Sequence, residues 1–408
     1  MKLKKLLALS AASVMALMCF AGCGGSDSGS SAAESKADAS TAAESTADSA
    51  ADSTAESKPD DTPKPMKDIS AWELVKDMTY GWNLGNTMDA TGNNGLGNET
   101  AWQNAKTTKP MYDLLAKDGF NVARIPVTWD SHMDKDYNVD KEWMARVREI
   151  VDYAIDNGMY VILNTHHEEW YFPKESDKEQ DKEQLAALWK QIAEEFKNYD
   201  EHLIFEGLNE PRLRNTSKEW TGGDKASRAI VAEYEKVFYD TVRASGGNNA
   251  KRILMMTGYA ASSSRNCLKE VFLPENDDKV IVSVHAYIPY SFALDTKGTA
   301  DYNEKNSDIK NLFSTLDELF LSKQIPVIIG EYGCMNKTKD GGDNTEDRVK
   351  CVTDYLTAAK QYGVPCVWWD NNAIYGNGEN FGLMDRDPLG PTWYFPQIVE
   401  AMKSVYAS

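Results

Sequence analysis

The feature that most constrains this chain is an alternation. From about residue 68 onward, short apolar runs of strand length recur between amphipathic stretches of helical period, the pattern of βα units that build a parallel sheet. The strand candidates are 80–84, 121–126, 159–164, 203–207, 252–257, 280–285, 326–330 and 365–369. Helical periodicity occupies, for instance, 143–157, 182–197, 227–244, 308–322 and 345–362. Eight such units in about 340 residues predict an α/β fold, a single (β/α)8 TIM barrel with long loops and no second domain.

In such a barrel, chemistry belongs to the loops that follow the C-terminal ends of the strands. The run Ile204-Phe205-Glu206-Gly207 delivers Asn209 and Glu210 just past the fourth strand. The first strand opens into Asn83 and Asn86, the second carries Arg124 and leads to Trp129, and the third ends at His166, His167 and Glu168. The sixth ends at His285 and Tyr287, the seventh at Glu331, and the eighth at Trp368, Trp369, Asp370 and Asn371.

Two carboxylates, Glu210 and Glu331, are therefore expected to face each other across the barrel mouth. Glycoside hydrolysis needs such a pair: one carboxyl stays protonated to serve the leaving oxygen, and the other is ionised to attack the anomeric carbon. Arg124 by charge and Tyr287 by hydrogen bonding favour an anionic partner. If both face Glu331, that residue is the nucleophile and Glu210 the acid/base, expected to hold its proton. Glu206, a few residues below the mouth, is a candidate partner for Arg124 inside the barrel.

Composition removes other classes. A formal charge of −19 and a pI near 4.8 argue against nucleic acid, because phosphate binding needs a basic face. No Cys-x-x-Cys pair and no Cys/His metal spacing occur, so no metal and no cofactor is expected. Cys267, Cys334, Cys351 and Cys366 fit either bridges in an exported protein or buried thiols. Eleven Trp and nineteen Tyr offer flat faces on which sugar rings stack, although a chain this long also places Trp in its core. Trp129, Trp170 and Trp220 fall on predicted loops, which favours outlying sugar subsites over core packing.

The start of the chain reads as an export signal. Met1-Lys2-Leu3-Lys4-Lys5 is a basic n-region, and the apolar run 6–20 is too short to span a bilayer. Phe20-Ala21-Gly22-Cys23 resembles a bacterial lipobox, which implies a signal peptide over 1–22 and lipidation of Cys23. Residues 23–66 are Ser, Ala, Asp, Glu and Thr with little able to form a core, so they are expected to be a disordered tether before a catalytic domain at 67–408. At roughly 5 to 6 Å times the square root of residue number, such a tether holds the domain about 35 Å from its anchor. The expected location is the outer face of a bacterial membrane, with the protein acting as a monomer.

Seven motifs now stand in order at the strand ends: Trp82-Asn83-Leu84-Gly85-Asn86-Thr87, Arg124-Ile125-Pro126-Val127-Thr128-Trp129, His166-His167-Glu168, Asn209-Glu210-Pro211-Arg212, His285-Ala286-Tyr287, Gly330-Glu331-Tyr332-Gly333 and Trp368-Trp369-Asp370-Asn371. Together they resemble glycoside hydrolase family 5, and within it subfamily 4, largely bacterial endoglucanases, xyloglucanases and broad β-1,4-glucanases. The likeness spans about residues 68 to 408. It implies a retaining double displacement on a β-glucan, with Glu210 as acid/base, Glu331 as nucleophile and the carboxyls about 5 Å apart. It further implies that Asn209 binds a sugar 2-hydroxyl, that Arg124 and Tyr287 hold Glu331, and that His166 and His285 line the same subsite. Trp369 would be the stacking platform, with Trp368 open as the alternative if the strand register differs by one. His167 is either a substrate contact or a packing neighbour. Asn83 is carried as a site residue, although with Asn86 it is expected to fix the first loop rather than touch sugar.

Three rivals remain distinguishable. A β-mannanase would use the same barrel and carboxylates. A non-catalytic glucan-binding lipoprotein would not need both carboxylates. A metal-dependent hydrolase could use His166, His167, Glu168 and His285, but its usual His-x-His on the first strand is replaced here by Trp82 and Asn83.

Overall fold

Eight parallel strands close on one another in chain order: β1 (Tyr80–Leu84), β2 (Val122–Ile125), β3 (Tyr160–Asn164), β4 (Leu203–Glu206), β5 (Leu254–Ser262), β6 (Val280–His285), β7 (Val327–Tyr332) and β8 (Cys366–Asp370), with β8 pairing back onto β1. This is a computed structural model, and it describes residues 62–103, 105–305 and 307–407. The expected signal peptide, the expected lipidation of Cys23 and the expected tether up to residue 61 lie outside the described residues. Each predicted strand run is a barrel strand, and the single (β/α)8 barrel is the architecture observed.

The barrel is wrapped by α1 (Lys109–Lys117), α2 (Lys141–Ile155), α3 (Lys178–Glu195), α4 (Lys225–Ala244), α5 (Asp308–Leu319), α6 (Thr345–Tyr362) and α7 (Pro396–Ala407). Local chemistry sets their ends. Asp224 and Ser227 form a capping box that opens α4, and Gly363, at φ 66°, ends α6 in the left-handed conformation that glycine adopts without penalty. The fifth unit differs from the rest: after β5 comes only the single turn Arg265–Leu268.

Strand alternation sorts the barrel interior into layers. Val122, Ile162, Ile204, Ile281 and Val367 form an apolar lower layer, closed from below by Ala71, Leu74, Val75 and Met78. Two residues further along the same strands, Arg124, Asn164, Glu206, Ser283 and Trp369 form the polar layer under the mouth. The register shifts on β5 between Thr257 and Ser262, and β7 departs from this alternation as well. On β7, Ile329 pairs with Val284 and Glu331 with the next residue, His285, so Gly330 is an extra residue in the ladder. Strict alternation from Ile328 would turn Glu331 out of the barrel. The bulge turns it in and sends Tyr332 outward against Trp368 and Tyr355.

The chain enters at the end opposite the mouth. Lys64 N donates to Asn198 O at 2.9 Å, Asn248 Nδ2 donates to Lys64 O, and Asp68 pairs with Lys251 and Lys279. The last residues assigned to the tether therefore already dock on the domain. All four domain cysteines are buried free thiols, which resolves the alternative of bridges between them.

Candidate active site

The polar layer is organised by one guanidinium. Arg124, fully buried, gives Nε to Glu206 Oε2 at 2.7 Å, Nη1 to Glu331 Oε1 at 2.8 Å and to Asn83 Oδ1 at 3.0 Å, and Nη2 to Asn209 Oδ1 at 2.8 Å. Burial opposes its charge, but the flanking carboxylates Glu206 and Glu331 more than compensate, so its pKa is raised. Glu206 is itself held by Ser283 Oγ at 2.5 Å and Asn164 Nδ2 at 3.1 Å. The fork geometry of arginine makes this possible, since a lysine ammonium has no planar set of five donors.

Glu331 receives a second donor from above, the Tyr287 hydroxyl at 2.8 Å from Oε2. Both of its oxygens thus accept hydrogen bonds, an arrangement suited to a carboxylate. Glu210 approaches from β4's loop. One oxygen of Glu210, one of Glu331 and a His285 ring nitrogen all lie within 4.8 Å of one another. His285 Nδ1 is 2.9 Å from Glu210 Oε1 and 3.5 Å from Glu331 Oε2, and since carboxylate oxygens accept, Nδ1 carries a ring proton.

Here the electrostatics correct the expectation that Glu210 holds its proton. Burial pushes the carboxyl up, but the hydrogen bond and charge of His285, and then Arg212, hold it down at about 2. Arg212 Nη1 donates to Glu210 O at 2.9 Å and reaches Oε2 at 3.4 Å. In this geometry the proton of the Glu210–His285 contact resides on the imidazole.

The remaining predicted residues separate into three groups. His166 is buried under the mouth, between Asn164 Nδ2 at 3.2 Å and Asn209 Nδ2 at 3.3 Å, and burial, with His167 and Arg124 nearby, keeps it neutral by lowering its pKa well below 6.5. His167 packs edge-on against it, is held neutral by burial at a pKa of about 3, and stands 3.8 Å from Asp89. Trp369 lies parallel to His166 at 5.6 Å with 8% of its surface exposed, whereas Trp368 is fully buried with Nε1 donating to Phe381 O. Of the two, Trp369 is the one that keeps an uncovered face. Gly85 makes room for it, since a Cβ there would come within 2.9 Å of the indole.

Two assignments are corrected. Trp129 is fully buried, with Nε1 donating to Asn164 O at 3.0 Å, so it is core rather than an outlying sugar subsite. Asn83, also fully buried, donates to Gly330 O and accepts from Arg124; it braces the site from below and has no surface to offer a sugar.

Trp220 is 63% exposed, with the Arg212 guanidinium 4.1 Å from its ring, so it stands beside Glu210. Trp170 is partly buried against the main core. Sequence reasoning missed Trp102, 45% exposed and 5.6 Å from His167, and it missed Asp89 and Arg212 as neighbours of the site. Only the position of Trp102 in the loop after β1 hints at its place.

Comparison with known proteins agrees with this geometry. The model of the cellulase family, glycosyl hydrolase family 5, matches residues 87–374. The chain is 58% identical over 406 residues to Endoglucanase B of Ruminococcus albus, covering 99% of this chain and 97% of that one. It is 61% identical over 342 residues to Endoglucanase 1 of the same organism, covering 83% of this chain and 82% of that one. Among solved structures, a GH5-4 broad specificity endoglucanase from Ruminococcus champanellensis with bound cellotriose superposes with a TM-score of 0.80 at 44% identity, covering 83% of this chain and all of that one.

Proposed function

Because the chain belongs to the cellulase family, glycosyl hydrolase family 5, we propose that its mouth cleaves β-1,4-linked glucans through the pair Glu210 and Glu331. The protein is an endo-β-1,4-glucanase, and the family's reaction is a retaining double displacement. The observation that carries the residue assignment is the carboxyl separation: one oxygen of each lies within 4.8 Å of the other, which leaves no space for a water between them and suits a nucleophile rather than a remote base.

Glu331, with Arg124 and Tyr287 donating to its two oxygens, attacks the anomeric carbon, and Glu210 serves the leaving oxygen. In the first step the ionised Glu331 nearby favours a proton on Glu210, against the pull of His285 and Arg212. Glu210 gives that proton to the leaving oxygen as its bond to the anomeric carbon breaks and the bond to Glu331 forms. Once Glu331 carries the sugar its charge is gone, and His285 and Arg212 favour the ionised Glu210 that activates water. Asn209, fixed by Arg124, is aimed at the sugar 2-hydroxyl, Trp369 stacks on the ring, and Trp220 offers a face to units beyond the leaving oxygen.

The substrate range is broad, taking unbranched β-1,4-glucan and related soluble β-glucans, as the related enzyme described as of broad specificity suggests. Product analysis on a panel of soluble polysaccharides, with the first anomer followed by NMR, tests the reaction: a β-anomer is expected, and an initial α-anomer refutes the assignment of Glu331 as nucleophile. Cleavage confined to mannan would instead favour a mannanase. The protein is exported, lipidated at Cys23 and acts as a monomer at the extracellular face of a bacterial membrane, with the barrel mouth at the end opposite to where the chain enters. The mass of the mature N-terminus tests this, and an unmodified Cys23 excludes the anchor.

A further inference from the structure

The loop between β8 and α7 carries a carboxylate that the reaction above does not use. Its backbone is fastened at Glu379 and the two residues after it: Asn371 Nδ2 donates to Glu379 O at 2.7 Å, Asn336 N donates to Asn380 O at 2.8 Å, and Phe381 N donates to Asn371 Oδ1 at 3.2 Å. The Phe381 ring sits 5.3 Å from that of Tyr287, the residue bonded to Glu331. Loop and catalytic pair are thus joined through one aromatic contact.

The Glu379 side chain is exposed and makes no hydrogen bond or ion pair among the described residues. Its place on the wall of the mouth follows from the backbone around it: Asn371, two residues after Trp369, holds the Glu379 carbonyl, and Phe381, two residues on, packs with Trp369 and Tyr287. Partial burial and then the negative charges of Glu210 and Glu331 push its pKa up. The other charged or titratable groups facing this region are His285, Arg124 on Glu331 and Arg212 on Glu210, and each is already committed to one of the catalytic carboxylates. An unpaired carboxylate held by a fastened loop beside two others is unfavourable for folding, so stability does not account for it.

We propose that Glu379 is a substrate-contacting, specificity-determining residue, a third carboxylate of the mouth that accepts hydrogen bonds from hydroxyls of the glucan unit bound over Glu210 and Glu331. This rests on the glucanase reading. A carboxylate only accepts, with two oxygens that match a pair of neighbouring equatorial hydroxyls, and hydrogen bonds to a charged acceptor are the stronger kind. Bound sugar supplies the donors that the protein does not. The same negative charge acts at the mouth, so Glu379 also bears on where the pH profile lies.

Kinetics of Glu379→Gln and Glu379→Ala on a soluble β-1,4-gluco-oligosaccharide, measured across pH, test this. The alanine variant is expected to raise KM about fivefold and the glutamine variant, which keeps an acceptor, less. In both, loss of the negative charge moves the whole pH bell about half a unit toward acid, a change that mere loosening of the loop would not produce. Unaltered thermal unfolding confirms that both variants fold. If KM stays within about twofold of the parent and the pH profiles superimpose, the inference is wrong while the glucanase reading stands. A parent enzyme that cleaves no β-1,4-glucan overturns that reading, and this inference with it.

Discussion

Arg124 Nη1 stands 2.8 Å from Glu331 Oε1 while the same guanidinium is committed through Nε to Glu206, 2.7 Å away inside the barrel. One cation therefore neutralises a structural carboxylate and a catalytic one. Arg124→Lys can serve either partner but not both. We expect kcat to fall about 100-fold with a stability loss of about 1 to 3 kcal/mol, measured by steady-state kinetics and denaturant unfolding. Parent-like kcat in the lysine variant would show that a point charge suffices.

The two carboxylates should fail differently. Glu331→Ala removes the nucleophile and should abolish cleavage of every substrate. Glu210→Ala should slow glucan cleavage about 10²- to 10⁴-fold, yet spare the first step on an aryl glycoside whose leaving group needs no proton. Rapid-mixing kinetics on that aryl glycoside should show a burst followed by slow turnover. Equal losses on both substrates would contradict the acid/base assignment of Glu210.

Stability should depend on pH through two buried carboxyls near the mouth. Burial raises Asp89 to about 7 and Glu168 to about 8, despite backbone donors to each. A raised folded-state pKa means the folded protein binds the proton more tightly than the unfolded chain. The associated stability is present below the usual carboxylate range and is lost as pH rises through about 7 to 8. Glu210, held at about 2, acts in the opposite sense and matters only as pH falls below the carboxylate range toward 2. Denaturant unfolding should therefore show the parent weaker at pH 8 than at pH 5, and Glu168→Gln should flatten that slope. A slope unchanged in the variant would remove Glu168 from the account.

Neighbouring tryptophans should separate binding from folding. Trp369→Ala is expected to raise KM wherever the variant is folded, because the uncovered part of the indole looks into the mouth, although at 8% exposure and packed on Met335 and Phe381 the residue also contributes to stability. Trp368→Ala should instead cost about 3 to 5 kcal/mol, since it empties a fully buried position and releases Phe381 O. Comparing thermal midpoints and KM for the two variants checks this, and the reverse pattern would mean the platform is Trp368.

Trp129→Ala should behave like Trp368→Ala, costing about 3 to 5 kcal/mol and leaving KM unchanged wherever the variant is folded. A KM effect without destabilisation would restore Trp129 to the substrate path.

Much of this protein is written in local pattern. Alternating apolar runs and helical periods specify βα units, chirality and short connections make eight of them close into a barrel, and the barrel sends Asn209, Glu210, His285 and Trp369 to one rim. Those steps depend on spacing along the chain, so the sequence by itself determined the fold, the rim and the two carboxylates on it. What it did not carry was register and distance across the barrel. Glu331 points inward only because Gly330 is an extra residue in β7, a slip that alternation does not announce. Asn83 and Trp129 sit on predicted strand ends and loops yet are buried, because their partners, Arg124 and Asn164, come from neighbouring strands. The charge state of Glu210 turns on Arg212, from its own loop, and on His285, brought to its other oxygen from the end of β6. Electrostatic and packing energies depend on separation in space, and only the closed barrel decides those separations.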